Sequence, residues 1–197
     1  MPLVTYSDGD TYNGDIVGGL RHGQGTFTWV DGSVYIGSWA EGNQHGEGTK
    51  TWADGSSYTG AYVDGKKYGQ GTLIGDDGSV YIGAWVDGKR HGEGLKVSAD
   101  GDRYVGTYAD GKQHGEGVKT WINGDVYVGT FVVGARTGQG TLTIANGDKY
   151  TGTFVDGTAT GGITAGEIPY FVGTATVEKS KTGITTTDAL FFSTAEA

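Results

Sequence analysis

Cysteine is absent from this 197-residue chain, which excludes a disulfide framework, a thiolate zinc site and a cysteine nucleophile. Proline occurs only twice. Leu, Ile, Val and Phe together number 38, a share that borders on that of disordered chains when the net charge is as large as −9. No apolar run approaches the roughly 20 residues of a membrane span, and Met1 to Tyr6 lack the basic-then-apolar order of a signal peptide. No Asn-x-Ser/Thr sequon is present. Basic residues cluster only as pairs, Lys66-Lys67 and Lys89-Arg90, too few for a polybasic membrane anchor. The acidic balance argues against nucleic acid as a partner, because phosphate attraction needs clustered Lys and Arg.

What is present opposes disorder. The chain carries 23 aromatic rings and 40 glycines, and the glycines are placed. Tyr-x-Gly recurs at Tyr12, Tyr35, Tyr58, Tyr81, Tyr104, Tyr127 and Tyr150, always 23 residues apart. Four more glycine columns, beginning at Gly9, Gly19, Gly23 and Gly25, share that period, and the five columns hold 34 of the 40 glycines. A fixed period of this length is the signature of a repeat architecture.

Within a unit the signals are those of strands. Val34-Tyr35-Ile36-Gly37-Ser38-Trp39 and Gly48-Thr49-Lys50-Thr51-Trp52 are rich in β-branched and aromatic residues and carry no helical stripe. Asp31-Gly32, Asp54-Gly55, Asp77-Gly78, Asp100-Gly101, Asn123-Gly124 and Asn146-Gly147 read as type I′ hairpin turns, with positive φ at both positions. The other connection, such as Glu41 to Gly46, reads as a longer loop. Alternation puts Tyr35, Gly37 and Trp39 on one face with Gly48, Lys50 and Trp52, opposite Val34, Ile36 and Ser38. The fourth residue after each Tyr is aromatic at Trp39, Tyr62, Trp85, Tyr108, Phe131 and Phe154; Ile16 in the first unit departs. A lane of aromatics and glycines on one face is expected, with rings packing between adjacent hairpins.

The expected fold is all-β: an elongated single-layer antiparallel sheet of stacked 23-residue β-hairpin repeats, with a C-terminal capping segment. Strands about 4.8 Å apart make each hairpin advance the sheet by roughly 10 Å, and seven units span roughly 65–70 Å. The array occupies residues 1–162 as a half unit, six full units and one partial unit. Residues 163–197, rich in Thr and Ala, form a C-terminal cap or partner-docking tail.

The unit Tyr81-Ile82-Gly83-Ala84-Trp85-Val86-Asp87-Gly88-Lys89-Arg90-His91-Gly92-Glu93-Gly94 resembles a MORN (membrane occupation and recognition nexus) repeat, and the match recurs in seven registers. The resemblance implies an extended, twisted single-layer sheet. It also implies a scaffold role, as in cytoskeletal and ciliary components, junctophilins at membrane contacts, and appendages on plant phosphatidylinositol-phosphate kinases and a histone methyltransferase. Regularity fades toward the C-terminus, where the histidine column His22, His45, Tyr68, His91, His114 ends in Thr137 and Thr160.

Nothing in the repeats looks catalytic. The four histidines stand one unit apart, roughly 10 Å, whereas imidazole ligands must converge on one ion at about 2.0–2.1 Å. Glu47, Glu93 and Glu116 share a column with Gln24, Gln70 and Gln139, so that position needs shape and hydrogen bonding more than charge. The glycines fit no phosphate-cradling motif. No enzyme, no metal and no cofactor are therefore expected.

The expected function is a structural scaffold, a protein–protein interaction component of a larger assembly, in the cytoplasm or on the cytoskeleton. Candidate partner-binding residues are Trp39, Tyr62, Trp85, Tyr108, Phe131 and Phe154 on the aromatic lane, with Leu190, Phe191 and Phe192 in the tail. Packing between units is the competing role for the lane, and capping the last hairpin for the tail. A homodimer is an alternative state, since Leu3 to Tyr6 reads as a second strand lacking its first. The rival functions are a peripheral lipid-binding or membrane-tethering module, which net charge −9 disfavours, and a virion or appendage component.

Overall fold

Rings and β-branched residues alternating with glycine bury one face of a ribbon and leave the other in water. In the computed structural model, which describes residues 3–160, the result is one open antiparallel sheet of fifteen strands, with no helix among the described residues. The strands are β1 (Leu3–Thr5), β2 (Thr11–Val17), β3 (Leu20–Thr28), β4 (Val34–Ala40), β5 (Asn43–Thr51), β6 (Ser57–Val63), β7 (Lys66–Ile74), β8 (Val80–Val86), β9 (Lys89–Val97), β10 (Arg103–Ala109), β11 (Lys112–Thr120), β12 (Val126–Val132), β13 (Ala135–Thr143), β14 (Lys149–Val155) and β15 (Thr158–Thr160). Their order across the sheet is their order in the chain.

Each full hairpin joins a strand of seven residues to one of nine. A bulge absorbs the excess. In β4–β5, Gly37 pairs with Gly48 and Trp39 with Gln44, so Ser38 alone faces His45, Gly46 and Glu47. The shift recurs in every hairpin from β2–β3 to β12–β13. Between hairpins the register is unbroken, as where Gly46 to Thr51 of β5 runs against Tyr62 to Ser57 of β6. The faces are as alternation requires: Tyr35 is fully buried and Trp39 is 5% exposed, while Ile36 on the opposite face is 59% exposed. The core is consequently a strip of rings on one side of a single layer.

The turn chemistry differs from the expectation. The two-residue type I′ turns are the connections at Gly18-Gly19, Glu41-Gly42, Asp64-Gly65, Asp87-Gly88, Asp110-Gly111, Val133-Gly134 and Asp156-Gly157, where both residues have positive φ, 48° and 79° at Asp64 and Gly65. The Asp-Gly and Asn-Gly pairs expected to hold that turn sit in longer ones, where only the glycine has positive φ. Trp52 accepts from the Gly55 amide at 3.0 Å, closing a type I turn, and donates to the Ser56 carbonyl at 2.9 Å. Aspartate serves there through its side chain: the Ser33, Ser56 and Ser79 amides each donate to the Asp two residues earlier at 2.8 Å. Both columns read Asp-Gly, and dipeptide identity alone does not tell them apart.

Both kinds of turn are stitched to the neighbouring hairpin. The Gly65 amide donates to the Gln44 carbonyl and the Gly88 amide to the Lys67 carbonyl, each at 2.9 Å; Gly42, Gly111, Gly134 and Gly157 repeat the bond. On the other edge the Val30, Ile122 and Ala145 amides donate to the carboxylates of Asp10, Asp102 and Asp125. The Ser33 hydroxyl, 3% exposed, accepts from Ala53 in the same way.

Two substitutions test this. Val133 is a β-branched residue held at φ 51°, so Val133→Asn should raise stability by about 1 kcal/mol. A Cβ on Gly71 would collide with the hydroxyl end of the Tyr58 ring, so Gly71→Ala should cost about 3 kcal/mol. Urea midpoints of the full chain measure both.

Candidate functional site

The buried rings form one unbroken series. From Tyr12 it passes through Trp39, Tyr35, Tyr62, Tyr58, Trp85, Tyr81, Tyr108, Tyr104, Phe131, Tyr127 and Phe154 to Tyr150. Successive ring centroids lie 4.8–5.5 Å apart and every contact is edge-to-face, the arrangement the ring quadrupole favours. Trp39, Tyr62, Trp85, Tyr108, Phe131 and Phe154 each bridge the Tyr of their own strand and that of the preceding hairpin, and none is more than 5% exposed. These six of the nine candidate residues therefore pack between units and present almost no ring surface outward. The other three, Leu190, Phe191 and Phe192, lie outside the described residues, as does the expected capping segment.

Each repeat tyrosine also closes a polar account. Tyr35 lies across the Gly37–Gly48 pair and donates its hydroxyl to the Ser38 carbonyl at 3.0 Å. Tyr12, Tyr58, Tyr81, Tyr104, Tyr127 and Tyr150 make the same bond to the residue three further on, at 3.0–3.3 Å. Burial pushes the Tyr35, Tyr58 and Tyr108 phenols up to about 12 and raises those of Tyr62, Tyr81 and Tyr104 further. Where Trp occupies the bridging position its indole N–H reaches back, Trp39 to the Gly25 carbonyl at 3.2 Å and Trp85 to Gly71 at 3.3 Å. The Tyr62 hydroxyl and the Gln44 amide nitrogen are buried without a hydrogen-bond partner.

Over the rings lies a row of cations. Strand alternation splits the basic pairs Lys66-Lys67 and Lys89-Arg90 between the two faces. Lys66 and Lys89 turn outward to Asp87 and Asp110 at 3.0 and 3.2 Å. Lys67 lies over Trp52, Tyr58 and Trp85 at 4.8–5.0 Å, and Arg90 over Tyr81 and Tyr108 at 5.5–5.6 Å. Lys50 stands 4.1 Å from the Trp29 ring and 5.4 Å from Trp52. Arg21 and Arg136 begin and end the row, each donating to the turn carbonyl of the next unit, Gly42 and Gly157. Desolvation lowers the Lys50 and Lys67 ammoniums; the positive charges of Lys50 and Arg90 lower Lys67 further. The signal for Arg21, Lys67, Arg90 and Arg136 is the 23-residue column Arg21, Gln44, Lys67, Arg90, Gln113, Arg136, one place before the histidine column and so on the opposite face; Lys50 joins them from a different column, that of Phe27, Leu73 and Lys96.

The remaining polar columns hold the sheet. His22, His45, His91 and His114 are exposed, and His45 lies 3.8 Å from Asp64. Among the described residues no three His, Asp or Glu side chains gather to hold a metal ion. The Glu/Gln column faces hydroxyls: Gln24 donates to Ser38 and Gln139 to Thr153, both at 2.8 Å, while Glu116 accepts from Thr130 at 2.6 Å. Amide and carboxylate thus do the same work there. Among the described residues no helix is long and apolar enough to cross a membrane.

A family model described as MORN repeat matches six consecutive stretches, residues 12–34, 35–57, 58–80, 81–103, 104–126 and 127–149. No curated protein matches the chain. Among solved structures, the chain is similar to the SAS-4 (dCPAP) TCP domain of Drosophila melanogaster in complex with a proline-rich motif of Ana2 (dSTIL). That match has 13% identity, 77% of this chain, 83% of that one and a TM-score of 0.48. It is also similar to the wild-type TCP10 domain of Danio rerio CPAP, with 16% identity, 77% and 88% coverage, and a TM-score of 0.26.

Opposite effects are expected from removing two hydroxyls. Tyr58→Phe loses a bond to the Ala61 carbonyl and should cost about 1 kcal/mol; Tyr62→Phe removes an unpartnered buried group and should gain about 1 kcal/mol. Raised phenol pKa values make stability full below pH 10, the unfolded-state value, and falling as pH rises from there through about 12. The phenolate absorbance of the buried repeat tyrosines should therefore appear together with loss of the β-sheet circular dichroism, rather than before it.

Proposed function

The chain belongs to the MORN repeat family, and on that premise we propose that it is a non-enzymatic scaffold, a protein–protein interaction component of a larger assembly. The carrying observation is the uniformity of residues 12–149: the same ring, bulge and turn bonds recur at each unit, and no nucleophile, base and orienting group stand together at one place. A site of chemistry is singular, whereas a scaffold presents a repeated surface along its length. Residues 1–162 supply that surface and residues 163–197 a cap or docking tail, through Leu190, Phe191 and Phe192. Protein partners meet the aromatic face around Trp39, Tyr62, Trp85, Tyr108, Phe131 and Phe154, in the cytoplasm or on the cytoskeleton.

The test is crosslinking with mass spectrometry on material purified gently from its natural source, scoring both protein and lipid that copurify. Stoichiometric crosslinks to another protein are expected. Lipid recovered without any protein would sink the scaffold and favour the membrane-tethering role. Light scattering of the purified full chain separates self-association from a foreign partner: a mass of one chain at high concentration disposes of the homodimer.

A further inference from the structure

Six rings lie under three side chains at the middle of the aromatic face, and those three side chains are all cations. Lys50 and Lys67 stand 5.4 and 4.9 Å from the same ring, that of Trp52. Arg90 continues the row in the next unit, one hairpin further on and so about 10 Å away. Rings attract cations but carry no net charge, so the positive charge of the row stays uncompensated. Among the described residues no carboxylate oxygen lies within 4.0 Å of Lys50, Lys67 or Arg90; Asp31 acts on Lys50 from further off. Three half-buried like charges, placed close together in a protein of net charge −9, are an electrostatic cost that Asp31 eases at Lys50 and no adjoining carboxylate among the described residues eases at Lys67.

We infer that the row Lys50, Lys67 and Arg90, flanked by the partly exposed Trp29 and Trp52, receives an acidic, extended peptide segment of a protein partner lying along the face across the strands. This rests on the scaffold reading and adds the partner's chemistry. The spacing sets the peptide's pattern. An extended chain rises about 3.1–3.4 Å per residue, so every third residue falls about 10 Å along, matching the hairpin step. Acidic residues three apart meet Lys67 and Arg90, which stand one repeat apart in one column; Lys50, set four residues further along the strands, reaches the same lane through its side chain beside Trp52.

The rims favour a narrow occupant over a surface. On one edge the turn carboxylates of Asp87 and Asp110 are engaged by Lys66 and Lys89 of the opposite face, which leaves Asp64, beside His45. On the other edge Asp31, Asp54 and Asp77 are exposed. A flat anionic membrane approaching the cations would press its headgroups against the Asp31, Asp54 and Asp77 rim, whereas a single peptide strand lies clear of it.

The experiment is affinity selection on the full chain from twelve-residue peptide libraries. Their third positions are fixed as Glu, Gln or Lys, and the other positions are randomised. Glu-patterned peptides should be enriched at least tenfold over Gln-patterned ones, with the enrichment lost at high salt. A Lys50→Gln, Lys67→Gln, Arg90→Gln variant should lose it while keeping its circular dichroism and melting temperature. Should that variant misfold, Lys67→Met alone keeps the aliphatic cover over Trp52 and Trp85 and should reduce enrichment severalfold. Equal enrichment of the three libraries, none at all, or enrichment surviving in a folded variant overturns the inference. So does cation-dependent binding of phosphatidylserine vesicles in place of peptide. Crosslinks to a partner confined to the sheet ends or the opposite face leave the scaffold standing without this row. Peptide selection without any crosslinked protein does the reverse.

Discussion

A tyrosine ring lying across two paired glycines is the constraint on which the rest of the sheet depends. Tyr35 occupies the space that side chains on Gly37 and Gly48 would fill, and its hydroxyl reaches the Ser38 carbonyl at the bulge. The bulge exists because one strand of each hairpin is two residues longer, and it would leave a carbonyl on the buried face without a partner. Ring, glycine pair and bulge therefore come as one device. With the ring flat against the backbone, its edge and face are open to the bridging aromatic of the same strand and of the next hairpin, and the series of edge-to-face contacts follows.

A single layer has no second sheet to bury it, and this one is covered by its own side chains instead. The charged heads of Lys50, Lys67, Arg90 and Arg136 lie over the rings and roof them, half-buried. The opposite face remains a plain half-exposed surface of Ile36, Ile82 and Val128 among threonines. Stability is thus held in contacts between neighbours, as in other solenoids, and each unit needs the next.

Much of this was legible in the sequence because period and alternation report directly on packing. The 23-residue columns, the face assignment of Tyr35 and Trp39, and the single antiparallel sheet all follow from them. The turn types did not, since Asp31-Gly32 and Asp64-Gly65 are the same dipeptide; what separates them is strand length and the bulge, which propensity does not report. Lys67 was hidden beside Lys66 because a run of like residues reads as a patch until a strand sends neighbours to opposite faces. Val133, at a position held by Gly18 in the first unit and by acidic residues in the rest, shows that neighbour stitching can hold a turn its own residue disfavours.

The strand order also has a mechanical side. Because β1 to β15 follow one another across the sheet in chain order, the first and last described strands lie at opposite ends of the ladder. Tension between those ends runs along the inter-strand hydrogen bonds and loads them one pair at a time, instead of shearing many together. Such a ladder peels hairpin by hairpin from its ends, and each released unit lengthens the chain while those behind it keep their bonds. Held at both ends, the molecule is an extensible strap that yields in equal steps of one repeat.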